Sequence, residues 1–158
     1  MSDDAYFLPA GTFEGAEVLQ PTAHTGSPWS AGIQHGGPVA GLLWRACEGA
    51  PGAEGWLLTR LAVELLGPVT LDEVAVRADV VRSGRSADLV EAEVLQRGPG
   101  GSWRPAARAR GWNIHLLSGD SSPMVGEVSS QLGIEDARGG LTPDDKLAVL
   151  KQLHGQGR

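Results

Sequence analysis

The chain has 158 residues, 41% hydrophobic and 20% charged, enough for one folded domain with a core and too few for two ordinary ones. Its 13 Lys+Arg against 19 Asp+Glu give a formal net charge of -6, which argues against a sequence-independent grip on nucleic acid phosphates. A single Cys excludes an internal disulfide, no apolar run approaches the roughly 20 residues of a membrane-spanning helix, and the acidic start Met1-Ser2-Asp3-Asp4 lacks a signal peptide's positive charge. A cytoplasmic protein working away from membranes and nucleic acid is expected.

The first strand is predicted loosely over Thr12 to Leu19. A stretch from Gln20 to Gly37 rich in Gly, Pro, Ser and Thr follows, and a loop of that length is usually functional. Gly37-Pro38 then opens a helix, with Val39, Leu42, Leu43, Ala46 and Cys47 at the spacings of one buried face. That helix should end before Gly49 or Pro51.

From Leu57 the period changes to two: Leu57, Thr59, Leu61, Val63 and Leu65 share one face, and Leu58, Arg60, Ala62, Glu64 and Leu66 the other, until Gly67-Pro68 breaks the strand. Val74, Val76, Ala78 and Val80 alternate with Ala75, Arg77, Asp79 and Val81, and Ser83-Gly84 turns into a strand over Ala87 to Gln96. After Gly98-Pro99-Gly100-Gly101 a last strand from Ser102 to about Leu116 sets Ala106, Arg108, Arg110, Trp112 and Ile114 against Ala107, Ala109, Gly111, Asn113 and His115. Short connections predict that these strands are antiparallel neighbours.

The element order reads as an α+β fold, an antiparallel sheet wrapped around one helix. Such a sheet leaves edges, and pairing edge to edge with a second copy covers them, so a homodimer or higher homo-oligomer is expected. Residues 1–117 form the predicted domain and 118–158 a polar tail, with a short helix begun by Thr142 as N-cap and Pro143 as its first residue. His24, His35, His115 and His154 are scattered and Cys47 has no partner at ligand spacing, so no metal site is expected.

The segment Gln34-His35-Gly36-Gly37-Pro38 is the most informative for chemistry. A helix start offers unpaired N–H groups and partial positive charge, and glycines let a ligand approach the backbone, so a carbonyl oxygen or oxyanion fits there. The same glycines also suit a plain loop-to-helix turn with His35 packed nearby; spacing alone does not separate the two. Ser83 and Ser86 have no His or Asp at the spacing of a serine hydrolase.

Pro28-Trp29-Ser30, Gln34-His35-Gly36-Gly37-Pro38, Leu42-Leu43-Trp44-Arg45, Leu61-Ala62-Val63-Glu64-Leu65-Leu66-Gly67-Pro68-Val69 and Val80-Val81-Arg82-Ser83-Gly84-Arg85 occur in that order between Tyr6 and Ile114. Together they resemble the acyl-CoA thioesterase-like family of the hotdog fold, in particular the N-terminal unit of double-hotdog thioesterases. The resemblance implies a single hotdog fold, with a curved antiparallel sheet around one long helix, dimerisation through paired sheets, and a thioester site at the subunit interface near the helix start. It implies an acyl-CoA or acyl-carrier-protein substrate, the coenzyme A thioester itself, and no separate cofactor. A backbone amide that polarises the thioester carbonyl carries onto Gly36 or Gly37, with His35 and Gln34 lining the pocket.

The sequence departs from the family in one place. Many single-hotdog thioesterases carry an Asp or Glu about two turns into this helix, where Trp44 and Arg45 stand here. Glu48, Glu64 and Asp79 are the remaining carboxylate candidates. Glu64 is preferred as general base, since a carboxylate buried in the following strand would have a raised pKa, although strand charges more often mark the solvent face. Arg82 and Arg85 flank a turn and suit coenzyme A phosphates as well as they suit ordinary turn charges. Trp29 and Trp44 suit either the walls of an acyl pocket or packing at a dimer contact. Two functions remain open: hydrolysis of an acyl thioester, with His35, Gly36, Gly37 and Glu64 as catalytic residues and water activated by a carboxylate or through His35, and a non-hydrolytic acyl-thioester-binding or oligomer-forming protein. Hydration of an enoyl thioester is disfavoured, because the Asp and His loop pattern of such hydratases is absent from the sequence.

Overall fold

A computed structural model of the chain describes residues 5–52, 57–84, 87–114, 116–132 and 137–155. Strands β1 (Phe7–Phe13), β2 (Ala16–Pro21), β3 (Leu57–Leu65), β4 (Val74–Arg82), β5 (Ala87–Arg97) and β6 (Trp103–Ile114) form one antiparallel sheet in the order β1-β2-β4-β5-β6-β3. Helix α1 (Gly36–Glu48) packs against β3, β4, β5 and β6. The α+β architecture of one helix held by an antiparallel sheet is the one the sequence predicts.

Three details differ from the sequence pattern, each for a local reason. The strand expected over Thr12 to Leu19 is a hairpin, in which Phe13 pairs with Ala16 across Glu14 and Gly15, at φ 48° and 82°. Two successive positive φ values give a turn whose twist matches that of the flanking strands. Next, β3 and β4 are not neighbours, and β3 pairs with β6 at the far edge. The connection between them is longer than a hairpin turn and is tied to the helix start, with Val69 O accepting from Gln34 N and Gly32 O from Leu71 N. Finally, the register of β3 shifts between Leu58 and Arg60, so Thr59 is an extra residue whose hydroxyl donates to Trp112 O at 3.0 Å. This bulge lets Leu58 and Leu61 both reach the core, which strict alternation forbids.

The core lies between α1 and the sheet. Leu43 and Cys47 are fully buried, and with Val39 and Leu42 they meet Val74, Val90, Val94 and Ala107. Small residues on β6 let the helix and Leu58 come close: a Cβ at Gly111 would stand 2.5 Å from Leu58 Cδ1. Burial, helped by the adjacent Glu48 charge, pushes the Cys47 thiol up to about 11, so it is an inert part of the core.

The other face of the sheet carries charge. Arg77, Glu93, Arg108 and Glu64 stand in register across β4, β5, β6 and β3. Glu93 Oε2 accepts from Arg77 at 2.7 Å and Glu93 Oε1 from Arg108 at 2.8 Å. Partial burial raises the Glu93 pKa, but the hydrogen bonds and charges of the two guanidinium groups outweigh it and hold the carboxyl below its usual range.

Beyond the sheet, β7 (Leu116–Leu117) pairs in parallel with β8 (Ala137–Arg138), and α2 (Ser122–Leu132) lies between them in sequence. Helix α3 (Pro143–Gly155) opens with a reciprocal cap: Asp145 N donates to Thr142 Oγ1 and Thr142 N to Asp145 Oδ2. Among the described residues no helix is long and apolar enough to cross a membrane.

Candidate functional site at the helix start

The long loop before α1 is a folded strap. Thr22 caps a short 3-10 turn over Ala23–Thr25, Thr25 Oγ1 donates to Thr22 O, and Thr25 O accepts from His35 N at 2.7 Å. Bridges between Gly26 and Gln34 and between Ile33 and Thr70 hold the rest. The strap fixes where the helix begins.

At that point His35 is the N-cap, with φ -69° and ψ 144°, and its Nδ1 accepts from Gly37 N at 3.0 Å. The third helical residue, Pro38, has no N–H, and His35 N is bound to Thr25 O. Of the amides at this helix start, Gly36 N–H alone has no acceptor among the described residues. It points out of the positive end of the helix dipole, so it is the donor best placed for a carbonyl oxygen. The sequence left Gly36 and Gly37 as equals; the His35 cap separates them.

A groove of about 670 Å³ runs from this point between α1 and the β1–β2 hairpin, within the usual size of ligand sites. Tyr6, Phe7, Leu19, His35 and Leu42 give it a largely apolar wall. Gly37, Gly41 and Arg45 line it from successive turns of the helix, and nothing lies within 4 Å of a Cβ placed on Gly41. Glu17 on β2 and Arg45 form an ion pair in the groove.

The structure brings together some of the residues singled out from the sequence and separates others. His35 and Gly37 line the groove, Gly36 stands between them in the chain without lining it, and Trp29 stacks on His35 with centroids 5.1 Å apart. Trp29 is itself 79% exposed, so its indole is a flap over the imidazole. Gln34 lies behind the helix start, buried, with Nε2 donating to Thr70 O at 2.7 Å and Oε1 without a partner. Its role there is to fix the 66–73 connection. Trp44 is partly exposed and does not line the groove.

Glu64 is not brought to the groove of its own chain. Leu65 Cδ1 lies 3.7 Å from a Cβ placed on Gly36, and alternation along β3 sends Glu64 to the opposite face, in a second cavity with Glu91, Glu93 and Arg108. Arg82 is exposed at the end of β4, just past Val80, which lies beside Gly52 beyond the far end of α1. Arg85 lies outside the described residues, as do Ser86 and His115.

Two groove residues escape the sequence reading as a pair. Arg45 stands out in the sequence as a departure from the helix pattern, but Glu17 is hidden inside the single strand expected over Thr12 to Leu19. Once the Glu14-Gly15 turn is recognised, β2 starts at Ala16, and the alternation places Glu17 and Leu19 on the helix side, with Ala16 and Val18 on the other.

Residues 25–114, more than half of the chain, match the family model of the acyl-CoA thioesterase N-terminal domain. An acyl-CoA hydrolase of Agrobacterium tumefaciens superposes with a TM-score of 0.55 at 16% identity, over 66% of this chain and 44% of that one. A thioesterase family protein of Silicibacter pomeroyi gives 0.51 at 20% identity, over 69% and 83%. A Streptococcus mutans protein bound to acetyl CoA gives 0.53 at 13% identity, over 72% and 91%. These likenesses establish the fold. A stretch of 52 residues is 40% identical to the probable cation-transporting P-type ATPase J of Mycobacterium tuberculosis, covering 33% of this chain and 8% of that protein. The chain thus spans less than a tenth of the length of the curated relatives it matches, and nothing of their activity carries over on so short a stretch.

Proposed function

The chain belongs to the acyl-CoA thioesterase N-terminal domain family, and on that premise we propose that the groove beside α1 binds an acyl thioester and that the helix start polarises its carbonyl for hydrolysis. The observation that carries this is the Gly36 N–H, without an acceptor among the described residues, between two residues that line a largely apolar groove. The thioester oxygen accepts from Gly36 N–H, the helix dipole stabilises the negative charge that grows on it, and the acyl chain lies along the groove. Water adds to the carbonyl carbon, the C–S bond breaks, and the thiol leaves with a proton, giving the free acid.

Within this scheme His35 is a positioning residue. By holding Gly37 N–H through Nδ1 it keeps the first turn in place, and its ring forms the groove wall under Trp29. Gln34 fixes the connection behind the helix. Glu64 has no step in its own chain's groove, because it faces the charged side of the sheet. The substrate is an acyl-CoA or acyl-carrier-protein thioester. The groove and the helix start both lie within residues 1–117.

Assembly follows the same reading. β3 is an edge strand with Val63, Leu65 and the following Leu66 exposed, and pairing with a second copy through this edge would bury them. Arg82, at the wrong end of α1 in its own chain, would then contact coenzyme A phosphates only from across a subunit boundary. A second function, acyl-thioester binding without turnover, is favoured by one observation: the groove's carboxylate, Glu17, is committed to Arg45. Thiol release from short, medium and long acyl-CoAs, run beside calorimetric binding on the same panel, decides between them. Saturable thiol release is expected; tight binding with no thiol release would select the binder, and neither would overturn both.

A further inference from the structure

We propose that the Glu17–Arg45 ion pair is the end wall of the acyl groove and sets the length of chain it accepts. This rests on the acyl-thioester reading of the groove and deepens it. The pair lines two cavities at once. One is the groove of about 670 Å³ at the helix start; the other, of about 600 Å³, continues beyond it along α1 and β4. The second cavity is more polar than the groove, with Glu14, Arg77 and Asp79 in its lining, but it holds an apolar patch of Ala46, Ala50, Val76 and Ala78. The two spaces therefore meet at a wall of two charged side chains.

Its position suits a ruler. Arg45 lies nine residues after Gly36, about 13 Å along the axis at the α-helical rise, the length of an extended chain of roughly ten carbons. Among the described residues this is the ion pair that joins α1 to the sheet. A methyl end that reaches it meets two charges already satisfied by each other, and passing further would part them and strip their water without a replacement. With both charges removed, the groove opens onto the alanine and valine patch of the second cavity.

The test is the chain-length profile of kcat/KM from hexanoyl- to hexadecanoyl-CoA. The double variant Glu17→Ala/Arg45→Ala leaves no lone charge, and its ratio of tetradecanoyl- to octanoyl-CoA activity is expected to rise roughly tenfold or more over the wild-type ratio. The exchanged variant Glu17→Arg/Arg45→Glu rebuilds the wall and should return the profile toward wild type, which separates wall loss from a general disturbance of the fold. An unchanged profile in the double variant overturns the proposal while leaving the thioesterase reading intact. So does an equal fall for every chain length, the result expected if Arg45 instead holds a coenzyme A phosphate. If the wild type releases no thiol, the thioesterase reading fails, and the same profile is read from dissociation constants measured by calorimetry. Absence of binding by any acyl-CoA overturns both.

Discussion

Gly36→Pro should lower kcat for acyl-CoA hydrolysis by about a hundredfold or more, the usual effect of removing one oxyanion donor. The substitution removes the Gly36 N–H and little else. Proline is tolerated at the first position of a helix, where the amide has no partner in the helix. The residue before a proline must be extended, and His35 already is, at ψ 144°. An added side chain meets only Leu65 Cδ1, at 3.7 Å for a Cβ. The melting temperature should therefore stay close to that of the wild type. The loss should be far smaller in Gly36→Ala, which keeps the N–H. Steady-state kinetics of the two variants side by side checks this; equal losses would place the effect in backbone shape and not in the amide.

The largest effect on stability is expected at Leu43. Its side chain is fully buried in the middle of α1's core face, among Val39, Cys47 and the valines of β4 and β5. Leu43→Ala removes apolar contacts and leaves a cavity, at a cost of about 2 to 5 kcal/mol. For a chain of this size that lowers the melting temperature by roughly 5 to 15 °C. Val63→Ala, at a position 36% exposed on the edge strand, should cost well under half as much in the monomer. Thermal unfolding followed by circular dichroism measures both. A small loss at Leu43 would mean that α1 is not the centre of the core.

The helix and the strands after it were legible because their residues satisfy the sheet or helix period on a buried face: Val39, Leu42, Leu43 and Cys47 on α1, and Val74, Val76, Ala78 and Val80 on β4. Strand neighbours were less legible, because adjacency depends on what the connections do. The 66–73 connection is anchored to the helix start, which sends β3 to β6, and no periodic pattern encodes that. The bulge at Thr59 likewise defeats alternation with one residue.

For the candidate site, Gln34-His35-Gly36-Gly37 announced a helix start, since N-terminal amides and glycines carry a recognisable meaning. Which amide remains free did not follow from the sequence. It depends on the His35 rotamer that puts Nδ1 on Gly37 N–H and on Pro38 being third in the helix. Glu64 illustrates how alternation places a side chain. A carboxylate between apolar neighbours on an edge strand looks poised for chemistry, yet the alternation that aims Leu65 at Gly36 aims Glu64 at Arg108.

The most direct test is a titration of the ¹⁵N-labelled protein with an acyl-CoA analogue in which a methylene replaces the thioester sulfur, keeping the carbonyl but blocking hydrolysis. Hydrogen bonding to that carbonyl should move the Gly36 amide proton downfield in a saturable way, with a clearly smaller shift at Gly37, which stays bound to His35. Saturable binding that leaves Gly36 unmoved, or that shifts Gly37 in its place, would contradict the assignment of the carbonyl to this helix start.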